Sequence, residues 1–539
     1  FSISSGSILA TNLGNFVQPD TSGPQLPLND QFKPTTKGAS LTVTAPFIAL
    51  NGGSAGGFAE QADAVMTFNA EQIDIAGVTA LNNMGQTTFN SQGDIRLLPD
   101  QSGGTAFGFG SGRQLGGYLQ SGGNLTFLAA DLYPATDTIF TVVAPSVAFG
   151  YPAGGGPSPS VPLSAGGSLV VKAGTIVQGG EIQAPFGSIT LGTATTTSVT
   201  LGSGSVTSVS GNGAVIPYGS TVDQTSWVYD PLPNNLGWTN VTQQALFAAP
   251  LAAAPQGVVT LNGASVSMKP GATVNLSGGG DLQAQEWIPG TGGSRDVLSQ
   301  YNTSYANSTT GTQVALYPDA RQIFAILPGY QGAVAPYDAN LSQSGLAVGQ
   351  AIYLAGGSGL SAGIYTLLPA KYATLPGAYR VVANSGVTNP LSQSYTLPDG
   401  TMAIAGYATN SLTGTRSSTV QQFYVQSAST WQGYSQYALT SANKFFPQYA
   451  VLNNLAAPTI PADAGRLVIA ATTGLTLNGT LLGAPAPGGF GAQVDISSQF
   501  IEIVGNGEAV QPGYLAVGAS QLDALGASSL LIGGTRSYT

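Results

Sequence analysis

The sequence predicts an all-β chain wound as a β-solenoid, and three observations carry that reading. Short runs of alternating aliphatic residues end in Gly or Asn, similar strings return after about twenty residues, and no helical stripe of any length is present. Side chains are also small, with 75 Gly among 539 residues. Small side chains suit close stacking of backbones.

The strands follow one another from the N-terminal half onward. LTV at 41–43, IDI at 73–75, IRL at 95–97, LVV at 169–171, ITL at 189–191, VTL at 199–201 and VNL at 274–276 each read as a short strand between turn residues. Their spacing sets the coil. GSL at 167–169 is followed by GSI at 187–189, TFN at 67–69 by TFN at 88–90, and LNG occurs at 50–52, 261–263 and 477–479. An antiparallel sandwich is the competing arrangement, but it gives no reason for like side chains to return at the coil length. A single coil buries only a few aliphatic side chains, too little to offset the entropy of ordering its residues. It must therefore stack on neighbours about 4.8 Å away, which close its backbone hydrogen bonds.

Breaks in the pattern divide the chain. Residues 1–280 read as solenoid with long loops near 99–120, 150–166 and 212–256, the last carrying Trp227, Tyr229 and Trp238 among prolines. Fifteen of the 22 Tyr lie between Tyr301 and Tyr449, where the coil spacing is lost. Residues 281–458 are therefore read as a Tyr-rich β module, and residues 459–539 as resumed coils.

Composition excludes several chemistries. Charged residues make up 7% of the chain, and 14 Lys plus Arg against 24 Asp plus Glu give a net charge of −10 and a pI near 4.3. Nucleic acid is not an expected partner. With no His and no Cys, Ser-His-Asp and Cys-His sites, thiolate or imidazole zinc sites and Cys-ligated clusters are ruled out. No metal and no cofactor are expected. No apolar run reaches the roughly 18 residues of a membrane-spanning helix. The chain opens on Phe1-Ser2-Ile3-Ser4 without a Met or signal region, as expected of a piece cut from a longer precursor.

Some strings are more distinctive. VNLSGGGDL at 274–282, IPGTGGSRD at 288–296, YTLLPAKYATLPGAY at 365–379 and SLLIGGTR at 529–536 resemble the C-terminal region of filamentous-haemagglutinin-like bacterial exoproteins. The distinctive strings cover mainly residues 258–539; the earlier part resembles the family only in its coil-like repetition. The resemblance implies a right-handed parallel β-helix, export through a two-partner outer-membrane transporter, and a place outside the cell or on its surface. It carries over no catalytic residues, and the family's N-terminal secretion domain is not seen in this chain.

Three groups of residues are candidates for chemistry or binding. Asp74 and Asp94 should point outward one coil apart, with Arg96 on the same face, and stacked rungs could bring the two carboxylates near the ~5 Å spacing of a retaining glycosidase. The plain alternative is a solvated surface trio. Asp281, Glu286, Arg295 and Asp296 form a second group at the module junction, read as salt bridges or loop caps, or else as a Ca²⁺ or sugar site. The aromatic residues Trp287, Tyr301, Tyr305, Tyr330, Tyr337, Trp431, Tyr434 and Tyr437 are the binding candidates, since rings with hydroxyls stack on sugars or meet a protein partner. Trp287 and Trp431 serve equally as core anchors.

These readings lead to a non-enzymatic adhesin or fibre segment, secreted or on the bacterial surface, that projects a rigid rod towards a host or matrix glycan or protein. A polysaccharide lyase or glycosidase on a β-helix is one alternative. A structural filament built by end-to-end self-association of open coil ends is the other.

Overall fold

The fold is known from a computed structural model that describes residues 2–4, 7–9, 39–53, 61–99, 115–156, 160–229, 250–288, 296–298, 305–307, 313–315, 323–336, 350–388, 394–433, 435–505 and 508–537. The alternating runs form one 23-stranded sheet in which the pairings between successive turns are parallel. Each turn contributes to three faces of a column.

Face one stacks Leu115–Ser121, the first half of Thr138–Gly150, the first half of Ser168–Gln178, Ser188–Leu191 and the first halves of Val258–Met268 and Arg466–Leu477, then Gln493–Ser497 and Ser529–Ile532. Face two begins with Ser40–Thr44, Gln61–Ala70, Met84–Ser91 and Asn124–Leu128, and continues through the second halves of the same long strands. Face three holds Phe47–Gly53, the start of Gln72–Asn82, Asp94–Leu98, Asp131–Pro134, Glu181–Gln183, Val206–Ser208, Thr273–Asn275 and Thr480–Leu482. The sequence expectation of an all-β, parallel solenoid holds at this level.

Repeated strings mark stacked rungs. Ser168 lies opposite Ser188 with their hydroxyls 2.9 Å apart, and Asn90 donates to the Asn69 carboxamide at 2.9 Å. Between such polar rows run apolar columns. Phe68, Phe89, Phe127 and Phe149 stack with centroids 5.2, 5.2 and 5.4 Å apart, and Leu169, Ile189, Val259, Leu467 and Val494 form an aliphatic row on face one. Rungs meet so closely at Gly187 that an added Cβ would lie 1.9 Å from the Gly167 carbonyl oxygen. The LNG strings are different: Leu50 pairs with Ile75 on face three, Leu261 with Ile469 on face one, and Leu477 with Met268 on face two. They are three unrelated uses of one short string, not a repeat.

One rung of face three is missing. Asp131–Pro134 pairs directly with Glu181–Gln183, although the turn between them supplies Thr138–Gly150 to the other two faces, and the next strand of the column begins at Ser168.

Between the last rung before residue 276 and its resumption at Arg466, the chain builds separate sheets. An eight-stranded antiparallel sheet runs from Ile323–Ile326 to Gln421–Ser427. A four-stranded sheet joins Val215–Val222 and Ser226–Val228 to Asp281–Trp287 and Tyr437–Ser441, so the lobe also draws on the loop near 212–256. Short α-helices, Ala428–Trp431, Ala442–Leu452 and Ala519–Leu525, depart from the expectation of no helix. Pro447 disguised the longest. It removes one backbone donor, while Ala442, Phe445, Phe446 and Ala450 still bury one side against Trp227 and Leu282. Among the described residues, no helix is long and apolar enough to cross a membrane.

The Phe column gives a direct test. Phe89 is fully buried between two rings, so Phe89→Ala should destabilise the column by about 3 to 5 kcal/mol in urea unfolding, with Phe89→Leu costing visibly less.

Candidate functional site

The outer side of face three repeats one local pattern: a polar residue, an inward aliphatic, and another polar residue. It appears as Gln72-Ile73-Asp74, Asp94-Ile95-Arg96, Asp131-Leu132-Tyr133 and Glu181-Ile182-Gln183. Because Ile73 pairs with Ile95, Ile95 with Leu132 and Leu132 with Ile182, the flanking residues align in two outward columns. One reads Gln72, Asp94, Asp131, Glu181. The other reads Asp74, Arg96, Tyr133, Gln183.

This register separates the two sequence-predicted carboxylates. Asp74 has Arg96 as its rung neighbour, whereas Asp94 has Asp131. Both point away from the coil as expected, but they do not form a solvated trio. Asp74 and Arg96 are each 2% exposed, beneath the lobe. Arg96 binds Asp74 in a fork, with Nε to Oδ1 at 2.8 Å and Nη2 to Oδ2 at 2.6 Å, and its Nη1 donates to the Ala335 carbonyl at 2.6 Å. Gln72 adds a weaker donation to Asp74 Oδ1 at 3.3 Å. The ion pair thus anchors the lobe to the column.

The carboxylate column is the part that sequence reasoning missed. Asp131 is 1% exposed; Gln183 Nε2 donates to its Oδ2 at 3.2 Å and also to the Ser160 carbonyl at 3.3 Å, while the Leu132 amide lies beside the carboxyl and its Oδ1 makes no well-formed hydrogen bond among the described residues. Glu181, also buried, is the next rung only because the intervening turn skips this face. The signal available was the fourfold polar-aliphatic-polar pattern. Nothing in the sequence indicated the omitted rung.

Electrostatics follow from this burial. Loss of water pushes the Asp94 carboxyl up to about 6, with Arg96 opposing the rise and Asp74 adding to it. Asp131 is pushed well above the carboxylate range by burial, then by the neighbouring Asp94 and Glu181. The Tyr133, Tyr330 and Tyr151 hydroxyls are all raised by burial, Tyr151 to about 12. Burial works against charge on Arg96, but the adjacent Asp74 outweighs it and keeps the guanidinium ionised. Asp94 and Asp131 can hold protons at pH values where ordinary carboxylates have lost them. Among the described residues, no group of three or more acidic side chains has the arrangement to hold a metal ion.

The junction group is spread over separate tasks. Asp281 accepts from the Ser441 hydroxyl and from the Asn443 amide at 3.2 Å, at the start of helix Ala442–Leu452. Glu286 cradles a turn, accepting from the Asp223 and Gln224 amides at 2.8 and 2.9 Å and from Thr221 Oγ1 at 2.9 Å. Both central residues of that turn have positive φ, 51° and 54°. Asp296 accepts from Leu298 N at 3.0 Å and from the Tyr437 hydroxyl. These are caps and braces within the fold; Arg295 lies outside the described residues.

The aromatic candidates do not gather into one platform. Trp431 is fully buried with Tyr437 edge-on at 5.5 Å, which places it as a core anchor. Trp287 is half-buried opposite Tyr437 in the four-stranded sheet. Tyr330 is half-buried over the carboxylate column, its hydroxyl donating to the Val334 carbonyl at 2.9 Å. Tyr305 lies in the short strand Tyr305–Asn307, while Tyr301, Tyr337 and Tyr434 fall outside the described residues. Trp227 is buried against Phe445 and Phe446, Tyr229 stacks on Tyr218 at 4.2 Å, and Trp238 is not described.

Comparison with known proteins returns no matching protein family, no matching curated relative and no matching solved structure.

Two variants test this geometry. Asp74→Asn leaves Arg96 buried and uncompensated and should cost about 3 to 5 kcal/mol, whereas the paired Asp74→Leu/Arg96→Met change should cost far less. Asp94 holds its proton more tightly folded than unfolded, so the unfolded chain binds fewer protons between pH 3.8 and about 6 and stability falls as pH rises through that window. Asp94→Asn should remove this decline, leaving the variant more stable than wild type at pH 8 by on the order of 3 kcal/mol in denaturant titrations.

Proposed function

We propose that this chain is a segment of a secreted or surface-attached bacterial rod whose work is mechanical and adhesive. On this reading the column winds right-handed, as in filamentous-haemagglutinin-like exoproteins, and reaches the outside through a two-partner transporter. A chain without Cys and with little charge can thread such a pore unfolded and then fold rung upon rung. The observation that carries the reading is the unbroken apolar core from Ile48 to Leu525, shared by successive parallel turns, with the β-rich lobe fixed to one flank. Such a column resists bending and unravelling together, and the lobe and loops become its means of contact with a glycan or protein.

Polysaccharide cleavage is less well supported by this arrangement. The carboxylates that such chemistry would use lie under the lobe, where Arg96 and Ala335 close the approach to Asp74.

One observation favours end-to-end assembly as a second reading. Val494 pairs with Leu530, so Leu530 occupies the inward row of face one, yet it is 39% exposed because no described rung covers it. A further coil, whether from a longer form of this chain or from another copy, would fit that edge.

Beads coated with the purified chain should bind host cells or extracellular matrix, or one class on a glycan array, and electron microscopy should show narrow rods. Depolymerisation of a polysaccharide that is lost on Asp94→Asn would overturn the adhesive reading, and long regular polymers without any binding would favour the filament.

A further inference from the structure

Each face of the column turns one set of side chains outward, and on face two that set is uncharged. Eight successive pairings join its strands from Ser40–Thr44 to the second half of Arg466–Leu477, with no rung omitted. At ~4.8 Å per step the face is about 38 Å long. The Phe column points into the core, so the residue before each ring points out. Thr42, Thr67, Thr88 and Thr126 thus stand in line on four successive rungs. After Ala148 and Val177, hydroxyls return at Thr200, Ser267 and Thr476.

A parallel outward column runs two residues back, from Ser40 to Gly474, and consists of Ser, Thr, Val, Gln, Asn and Gly. Neither column contains Asp, Glu, Lys or Arg; Asp63 and Lys269 flank the face without joining either. The other faces differ. Face one turns Lys172, Arg466 and Asp495 outward, and face three turns out Asp74, Asp94 and Arg96. Face two is open to solvent, with Val65 and Val177 each 42% exposed. Gln86 donates to Thr126 Oγ1 at 3.0 Å, but Thr42, Thr67, Thr88, Thr200 and Thr476 spend their hydroxyls on no partner among the described residues.

These features select the occupant. A charged polymer finds no counter-charge here. A second protein face would bury the hydroxyls without matched partners, and Val65, Ala148 and Val177 give too little apolar contact to offset that cost. Hydroxyl and carboxamide groups each donate and accept, as sugar hydroxyls do. Neither column holds an aromatic ring, so the contact is a row of small repeated contacts rather than one stacked sugar. An extended β-1,4-linked chain is flat and advances by nearly a rung with each sugar.

We propose that face two binds the ribbon of a neutral β-1,4-linked polysaccharide, of the cellulose or chitin type, laid along the column so that successive sugars meet successive rungs. The inference rests on face two alone and goes beyond the contacts assigned to the lobe and loops. Because each rung adds a small increment, affinity grows with the length of the polymer.

Affinity electrophoresis of the whole chain through hydroxyethylcellulose, with pull-down on insoluble chitin, tests it. Wild type should be retained, and cello-oligosaccharides should compete about tenfold better at six sugars than at four. Thr42→Val/Thr67→Val/Thr88→Val removes three hydroxyls while keeping the β-branched shape, and should weaken binding about tenfold or more. Thr190→Val/Thr260→Val makes the same change on the outer side of face one and should bind as wild type does. Wild type that binds neither polymer, or that prefers short and long chains equally, refutes the proposal. Undiminished binding by the folded triple variant also refutes it, while leaving the adhesive reading in place with its contact elsewhere. Should the triple variant unfold, the length series decides alone. A wild-type dimer that the triple variant splits, with no polymer bound, would give the face to a second copy instead.

Discussion

Parallel hydrogen bonding between successive turns, in strict side-chain register, is the constraint on which this molecule rests. No turn contains enough apolar surface to fold alone, so each backbone edge is completed by the turns beside it. Once Ile73 is set opposite Ile95, every neighbouring side chain has its partner fixed. The Phe column, the Ser and Asn rows, the Asp74–Arg96 fork and the stacked acids all descend from that one alignment. Inward rows tolerate repetition because apolar contact improves with it. Outward rows of acids do not, and on face three Arg96 stands opposite Asp74 where a like charge would repel it.

The lobe is an excursion with its own cores, yet it is tied back at several points, among them an apolar cluster that joins Ala165 and Phe186 to Leu282, Phe445 and Phe446. A four-stranded sheet shares strands between 215–228 and the lobe, Asp281 and Glu286 brace its edges, and Tyr372 reaches the Leu163 carbonyl at 3.5 Å. Asp495 is fully buried on the face-one rung that pairs with Ser529–Ile532, and Arg536 folds over it with both its backbone amide and its guanidinium. A strap of this kind satisfies a buried charge and holds Ser529–Ile532 in place.

The column was legible in the sequence because a solenoid writes its register as repetition: GSL and GSI, TFN and TFN do face each other. LNG misled because three letters recur by chance in a chain rich in Gly and Asn, and only the hydrogen-bond ladder distinguishes faces. Asp74, Asp94 and Arg96 were legible as outward residues, since alternation fixes which side of a strand a residue takes. The burial of Asp74 and Arg96 was not, because what covers Arg96 is Ala335, distant in the chain. Trp431 and Tyr437 could be recognised as important aromatics, but the choice between core and surface depends on long-range packing that local composition does not encode.

The omitted rung on face three has a mechanical meaning of its own. Between Asp131 and Glu181 two walls of the column advance by one turn that the third does not have, a mismatch of about 4.8 Å. The spare residues are drawn back onto the short wall: the Ser160 carbonyl accepts from Gln183 and the Ser164 hydroxyl donates to the Pro134 carbonyl, so the loop clamps together the two rungs that the omission brings face to face.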